Sequence, residues 1–323
     1  MDDLRTWIEI DKKSLRDNME QFLKLLPKKT RLMAVVKSNA YGHGIIRIAK
    51  SLLALRSFSE GGWFGVDSIV EALALRREGI KNPILVLGST LSSRLREAAS
   101  ENIILTVSNF ELLRAMGKIK KNPEFHLKID TGMHRQGFLP QDISKVLKLL
   151  KFYGLKPGGL YTHFAAAKDA AYPTYTLEQL KKFNSAVLSF RKAGFRNLPP
   201  HLSDKCGGLI RHAAASGGTL LFLESHLDMV RIGMGIYGYF PSSEANLHLQ
   251  DKIKLKPVFT WKTLITEVKE IPAGSYVGYD LVEKVNRKTK IAVLPVGYWH
   301  GYDRGLSGIG EVLIRGERAK VLG

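Results

Sequence analysis

A lysine closes one of the most apolar runs of the chain, where Leu32-Met33-Ala34-Val35-Val36 leads directly into Lys37. A lysine leaving a buried strand is either a rim residue that snorkels to water or a functional amine. The residues that follow, Ser38-Asn39-Ala40-Tyr41-Gly42-His43-Gly44, favour the second use. Two glycines flank His43, and Tyr41 offers a hydroxyl just ahead of a helix N-terminus, where an anion is stabilised. Further ionisable side chains stand at the ends of other short apolar runs: Lys128 and Asp130, His163, Asp204 and Arg231. Gathered at one face, they would combine an amine, proton carriers and cations that hold anions.

Elements that could gather them are legible as an alternation of short β-branched runs and amphipathic stretches, the grammar of βα units around a parallel sheet. Strands are expected at Arg31–Lys37, Trp63–Asp67, Pro83–Gly88, Ile104–Ser108, Phe125–Asp130, Gly158–His163, Leu198–Ser203 and Leu227–Ile232. Helices are expected between most of them: Ile45–Leu55, Ser68–Glu78, Ser92–Ser100, Phe110–Ile119, Asp142–Phe152 and Leu177–Ala193. Eight such strands give an α/β (β/α)8 TIM barrel, in which polar residues at the C-terminal strand ends build the site. An open doubly wound sheet fits less well, because no G-x-G-x-x-G follows the first strand. After Tyr237 the pattern becomes all-β, with strands at Val258–Leu264, Thr266–Ile271, Lys290–Leu294 and Gly310–Ile314. The expected division is a barrel domain over 1–238 and a smaller, mostly β domain over 239–323. The last strand pattern, Ala319–Gly323, stops without a covering segment, and the chain reads as cut short.

Composition narrows the class. No apolar run nears the ~18 residues that span a bilayer, and the N-terminus lacks a signal-peptide plan, so no membrane partner is expected. A single cysteine, Cys206, leaves no disulfide framework and fits a reducing, cytoplasmic setting. The net charge of +19 raises nucleic acid as a ligand. Lys and Arg are spread along the chain, however, without an aromatic-interleaved stripe or a zinc-knuckle pattern, so nucleic acid is not expected as the partner.

The run Ala34-Val35-Val36-Lys37-Ser38-Asn39-Ala40-Tyr41-Gly42-His43-Gly44 resembles the pyridoxal-5′-phosphate (PLP) lysine signature of alanine racemases. Leu127-Lys128-Ile129-Asp130-Thr131-Gly132-Met133-His134-Arg135-Gln136-Gly137, Thr162-His163-Phe164-Ala165, Asp228 through Gly238, Val277-Gly278-Tyr279, and Pro295 through Ser307 extend the likeness over nearly the whole chain. The resemblance implies a homodimeric PLP enzyme that interconverts L- and D-alanine and supplies D-alanine for peptidoglycan. Lys37 would hold the cofactor and serve one face of the substrate, and Tyr279, entering from the partner subunit, the other. A tyrosine is a poor base unless its phenolate is stabilised, a task the resemblance gives to His163 and Arg231. Arg231 would face the pyridine nitrogen, where a guanidinium can only donate. Tyr41, Gly233 and Met234 would hold the phosphate, and Arg135 would reach the cofactor's phenolic oxygen or the substrate carboxylate. Lys128 corresponds to a lysine often carbamylated in this family. No metal is implied.

Departures accompany the match. At His201-Leu202-Ser203-Asp204-Lys205 the family usually has Asn and Ser, so Asp204 and Lys205 stand in for them at the phosphate, and Arg211–Leu220 reads as an insertion. His300 stands where an aspartate is common. The family's distal segment, with a Met-Asp pair and a further phosphate-binding Tyr, is not found. A broad-specificity or serine racemase, or a weakly active PLP-binding remnant, would share most of these residues.

Overall fold

Where a run is apolar on every residue it is buried on both faces, as Leu32–Val35, Trp63–Val66 and Ile84–Val86 are in the central sheet. In the computed structural model, which describes residues 4–168, 171–195 and 209–323, the first strand is β1 (Thr6–Ile10). The sheet strands follow: β2 (Arg31–Val35), β3 (Trp63–Val66), β4 (Ile84–Val86), β5 (Ile104–Val107), β6 (Phe125–Lys128), β7 (Gly159–Tyr161), β8 (Ile210–His212) and β9 (Met229–Ile232). They form one parallel eight-stranded sheet in the order β8-β7-β6-β5-β4-β3-β2-β9. Its two edges meet: Asp228 N donates to Arg211 O at 3.1 Å and Arg231 N to Ala214 O at 3.0 Å. The sheet is therefore a barrel, as the alternating pattern predicts. Met33, Trp63, Leu85, Ile104, Ile210 and Met229 pack in its interior.

Helices separate the strands, and their starts are set by local chemistry. Asp11 accepts from the N–H groups of Lys13 and Ser14 to open the helix Lys12–Leu25, which sequence periodicity did not reveal. Ser68 and Asn109 cap Ile69–Arg77 and Phe110–Met116 in the same way. Thr174–Lys192 is the longest helix among the described residues, beginning three residues before its expected start at Leu177.

Two expectations are revised. The seventh barrel strand was expected at Leu198–Ser203, which lies outside the described residues; β8 fills the place between β7 and the closing strand β9. Arg211–Leu220 is thus no insertion, since it carries most of β8 and of the helix Ser216–Leu221. A strand reading Ile-Arg-His has no apolar run to announce it.

The chain forms two compact units, one running from Asp11 to Val258 and the other combining the segment through Ile10 with Phe259–Gly323. This differs from a division at 238/239. β1 pairs antiparallel with β10 (Phe259–Thr263), from Thr6 opposite Thr263 to Ile10 opposite Phe259, a partnership too distant along the chain to be read from pattern. The remaining strands of this unit are β11 (Glu267–Ile271), β12 (Tyr276–Val277), β13 (Glu283–Lys284), β14 (Thr289–Val293), β15 (Glu311–Ile314) and β16 (Glu317–Lys320). They pair antiparallel as β11 with β14, β12 with β13, and β15 with β16. Among the described residues no helix is long and apolar enough to cross a membrane.

Candidate functional site

The backbone leaving β2 adopts a rare conformation. Ser38, Asn39, Ala40 and Tyr41 all have φ between 53° and 55°, one turn of left-handed helix built from residues with side chains. Each such residue costs about 1–2 kcal/mol, so the surroundings must hold the turn in place. Ala40 N bonds to Val36 O at 2.8 Å, Gly42 N to Ser38 O at 3.1 Å and Gly44 N to Asn39 O at 2.9 Å. The Asn39 side chain accepts from Ile45 N at 2.9 Å, tying the turn to the helix Ile45–Leu53. His43 stacks on Tyr237 with ring centres 4.4 Å apart, and the Tyr237 hydroxyl donates to Val35 O at 3.3 Å. Lys37, at the start of this turn, is half-buried.

Arg231, 3% exposed on β9, is the electrostatic hub. Its Nη2 meets the carbonyls of Thr162 and Ala213, each at 2.8 Å, and His163 Nδ1 at 3.2 Å. Its Nη1 meets His212 Nδ1 at 2.8 Å. A guanidinium only donates, so both imidazoles must accept through Nδ1 and carry their protons on Nε2. His212 Nε2 then donates to His126 Nδ1, 2.8 Å away, which leaves the His126 proton on a buried Nε2 without a partner among the described residues. Tyr161 lies flat against His212, 4.7 Å between ring centres, with its hydroxyl 2.8 Å from Thr106 Oγ1.

Burial, aided by the charge of Arg231, pushes His163 and His126 down to about 3 and His212 well below its ordinary value. All three are neutral at pH 7. Burial also lowers Arg231, but only to about 10, so it keeps its charge. Lys128, 5% exposed at the end of β6, falls to about 8 through burial, then the charges of Arg135 and Arg231. Its Nζ lies 3.2 Å from Gln136 Oε1. Lys37 is near enough to act on both Lys128 and His163. Asp130 Oδ1 gathers the N–H groups of Gly132, Met133 and His134 at 3.0 Å each, shaping the loop that carries Arg135. Lys128, Arg135 and His163 line one small recess.

A cluster of hydroxyl and backbone N–H groups lies beside the left-handed turn. The Tyr41 hydroxyl sits so close to Gly233 that a Cβ there would meet it at 2.6 Å. The N–H groups of Gly233 and Gly235 converge on Ser216 Oγ at 3.2 and 3.3 Å. Met234, between them, is exposed. Burial raises the Tyr41 phenol above its ordinary value, so it remains a donor.

The structure thus brings Lys37, Lys128, Arg135, His163 and Arg231 together, and Tyr41 with Gly233. Asp204 and Lys205 lie outside the described residues. Tyr279 is on the other unit, in a short 3₁₀ turn, 77% exposed, with Asp280 beside it paired to Arg304 at 2.7 Å. Sequence reasoning missed Ser216 and His212, although His212-Ala213-Ala214-Ala215-Ser216, running on from the last residue of β8, was the signal that could have found both. Among the described residues no group of three or more His, Cys, Asp or Glu could hold a metal ion.

Two family models match the chain: the alanine racemase N-terminal domain over residues 10–241 and the C-terminal domain over 258–323. An alanine racemase of Leptospira interrogans is 37% identical over 330 residues, covering 100% of this chain and 80% of that protein. The crystal structure of alanine racemase from a D-cycloserine-producing Streptomyces lavendulae superposes with a TM-score of 0.85 at 31% identity, over 98% of this chain and 80% of its own. That of a Bartonella henselae alanine racemase with covalently bound pyridoxal phosphate does so with 0.82 at 25% identity, over 98% and 82%.

Proposed function

The chain belongs to the alanine racemase family, and from that premise we propose that it interconverts L- and D-alanine with Lys37 and Tyr279 as the two bases. It is a PLP-dependent racemase. The residues present fit that cofactor. Tyr41 pressed on Gly233, with two backbone N–H groups and a serine hydroxyl converging beside it, is a cradle for a phosphate. When bound, PLP supplies an electron sink that acidifies the α-hydrogen of an amine joined to it.

Each residue then has a task. The Tyr41 hydroxyl, Ser216 and the N–H groups near Gly233 and Met234 hold the phosphate, Ser216 taking the place that sequence gave to Lys205. Arg231 donates toward the ring nitrogen, and its His212 and carbonyl contacts fix its plane. Racemisation requires a proton to leave one face and return at the other. The Lys37 amine serves one face. The partner subunit's Tyr279 serves the other, with the Nε2–H of His163 as its donor. Arg135 orients the substrate carboxylate, a task suited to a planar fork. Lys128, as a carbamate, would turn from a like charge beside Arg135 into an anion that steadies it.

A homodimer follows from the role given to Tyr279. Tyr298, Trp299 and Ile309 also stand exposed on the β unit, Trp299 at 88%, apolar surface that a second subunit would cover. A cytoplasmic location and the supply of D-alanine for peptidoglycan complete the reading.

The buried Arg231 network carries it, because two neutral histidines and two carbonyls hold a charged guanidinium in one plane at the strand end, where it would face the cofactor ring. The test is to add PLP to the purified protein, fix it with borohydride, and assay D-alanine formation from L-alanine alongside Lys37→Ala. Cofactor fixed on Lys37, lost in the variant, with turnover lost in parallel, is expected. Folded wild type that fixes no cofactor would refute the role of Lys37.

A further inference from the structure

Glu71 stands outside the set of residues that sequence marked for chemistry. It sits in the first turn of the helix Ile69–Arg77, three residues after the N-cap Ser68, whose hydroxyl accepts its N–H at 3.3 Å. A glutamate at this position usually reaches back to the N-cap's own N–H. This one reaches further. Its Oε2 accepts from Asp67 N at 2.8 Å, at the end of β3, and its Oε1 accepts from Asn39 N at 2.9 Å, in the middle of the left-handed turn. One carboxylate therefore bridges the C-terminal ends of two neighbouring strands. The N–H it takes belongs to a residue held in a conformation that side-chain-bearing residues seldom adopt.

We propose that Glu71 is a positioning residue: its carboxylate clamps the Lys37–Tyr41 turn in its left-handed form and so aims the Lys37 amine at the cofactor. This rests on the reading of Lys37 given above. The turn sets two groups at once, Lys37 at its start and the Tyr41 hydroxyl at its end. Asn39 is its midpoint, held through its N–H by Glu71 and through its side chain by Ile45 N. Two acceptor oxygens are needed, one for each strand end. An amide offers one acceptor and an NH2 that would face the other N–H, so Glu71→Gln keeps the shape and breaks the clamp.

The experiment follows backbone amide exchange over residues 38–41 in cofactor-free protein, together with the rate at which added PLP becomes fixable on Lys37 by borohydride. In Glu71→Gln these amides are expected to exchange about tenfold faster or more, the loss of one charge-assisted hydrogen bond. Cofactor attachment is expected to slow by a similar factor, while amides of β6 and β9 keep wild-type protection. Glu71→Asp, with its charge kept but one methylene short, is expected to fall between, and it decides the matter should the glutamine variant not fold. Glu78→Gln, on the exposed end of the same helix, serves as the control. Unchanged exchange at residues 38–41, or attachment that stays at the wild-type rate despite faster exchange, would overturn the proposal. So would an equal loss of protection across all barrel strands. If wild type itself fixes no cofactor, the role of Lys37 fails, and the exchange data still decide whether Glu71 holds the turn.

Discussion

Replacing Lys128 by methionine removes a charge from a place that resists one. In the folded protein the amine titrates near 8 rather than 10.5, because burial and the charges of Arg135 and Arg231 outweigh the attraction of Asp130. A shift of that size corresponds to about 3 kcal/mol of destabilisation while the amine is protonated in both folded and unfolded chains. The sign follows from proton counting. Below pH 8 both states bind the proton and the whole penalty is present. Between 8 and 10.5 the folded state releases it while the unfolded state keeps it, so wild-type stability rises with pH. Above 10.5 neither holds it and the penalty is gone. The difference in unfolding free energy between Lys128→Met and wild type is therefore expected to narrow by about 3 kcal/mol from pH 7 to pH 10.5.

Urea denaturation of cofactor-free protein at a series of pH values, in carbonate-free buffer, gives that difference directly. Other titrating groups cancel between the two proteins. A repeat with bicarbonate adds a second reading, since at pH 7 about one Lys128 amine in ten is unprotonated, against about one in three thousand for an ordinary lysine. Bicarbonate is expected to stabilise wild type and leave the variant unmoved, as a ligand of the folded state alone does. A gap constant with pH to within about 1 kcal/mol would show that Lys128 is not a strained cation, and the case for its carbamate would fall with it.

Other consequences are open to measurement. Gly233→Ala places a Cβ against the Tyr41 hydroxyl; displacing that donor is expected to weaken PLP binding about tenfold or more in a spectroscopic titration, with the thermal midpoint of the cofactor-free protein unchanged. Equal affinity would mean that Tyr41 does not hold the phosphate. His163, titrating near 3, stays neutral through the working range, so its ring resonances in NMR are expected not to move between pH 5 and 8. Arg231→Lys leaves three donors where a five-donor fork stood, with His212, His163 and two carbonyls facing it. A loss of about 2–3 kcal/mol in urea unfolding is expected, and a neutral result would contradict the network.

The parts of this protein that sequence revealed are those whose signal is continuous. Runs such as Leu32–Val36 and Ile84–Val86 are apolar on successive residues because both faces are covered, and they announced the barrel. β8 gave no such signal, because its arginine and histidine satisfy tertiary partners: Arg211 grips Asp228 at 2.7 and 2.8 Å, and His212 takes up Arg231. Misplacing that strand set the expected phosphate contact at Lys205, where the proposed one is Ser216 beside Gly233. The cost of the error was local, since each remaining strand end was fixed by its own run.

Orientation was the second thing that residue types could not supply. Arg231, His163 and Lys128 were each visible as ionisable groups at strand ends, yet their states depend on a hydrogen-bond direction that begins in the barrel core. Arginine donates, so His212 must accept; His212 then donates, so His126 must accept; and the last proton is left on a buried nitrogen. Each link admits one tautomer once the arginine is charged. Moving a second proton onto either imidazole would oppose two N–H groups across a hydrogen bond in a dry interior, which is why burial drives His126 to about 3 and His212 well down as well. The chain of neutral histidines thus works in one direction only. It fixes the plane in which Arg231 donates, at the face where Lys37, Arg135 and Lys128 also gather, and a face so arranged selects for a ligand carrying acceptors and negative charge.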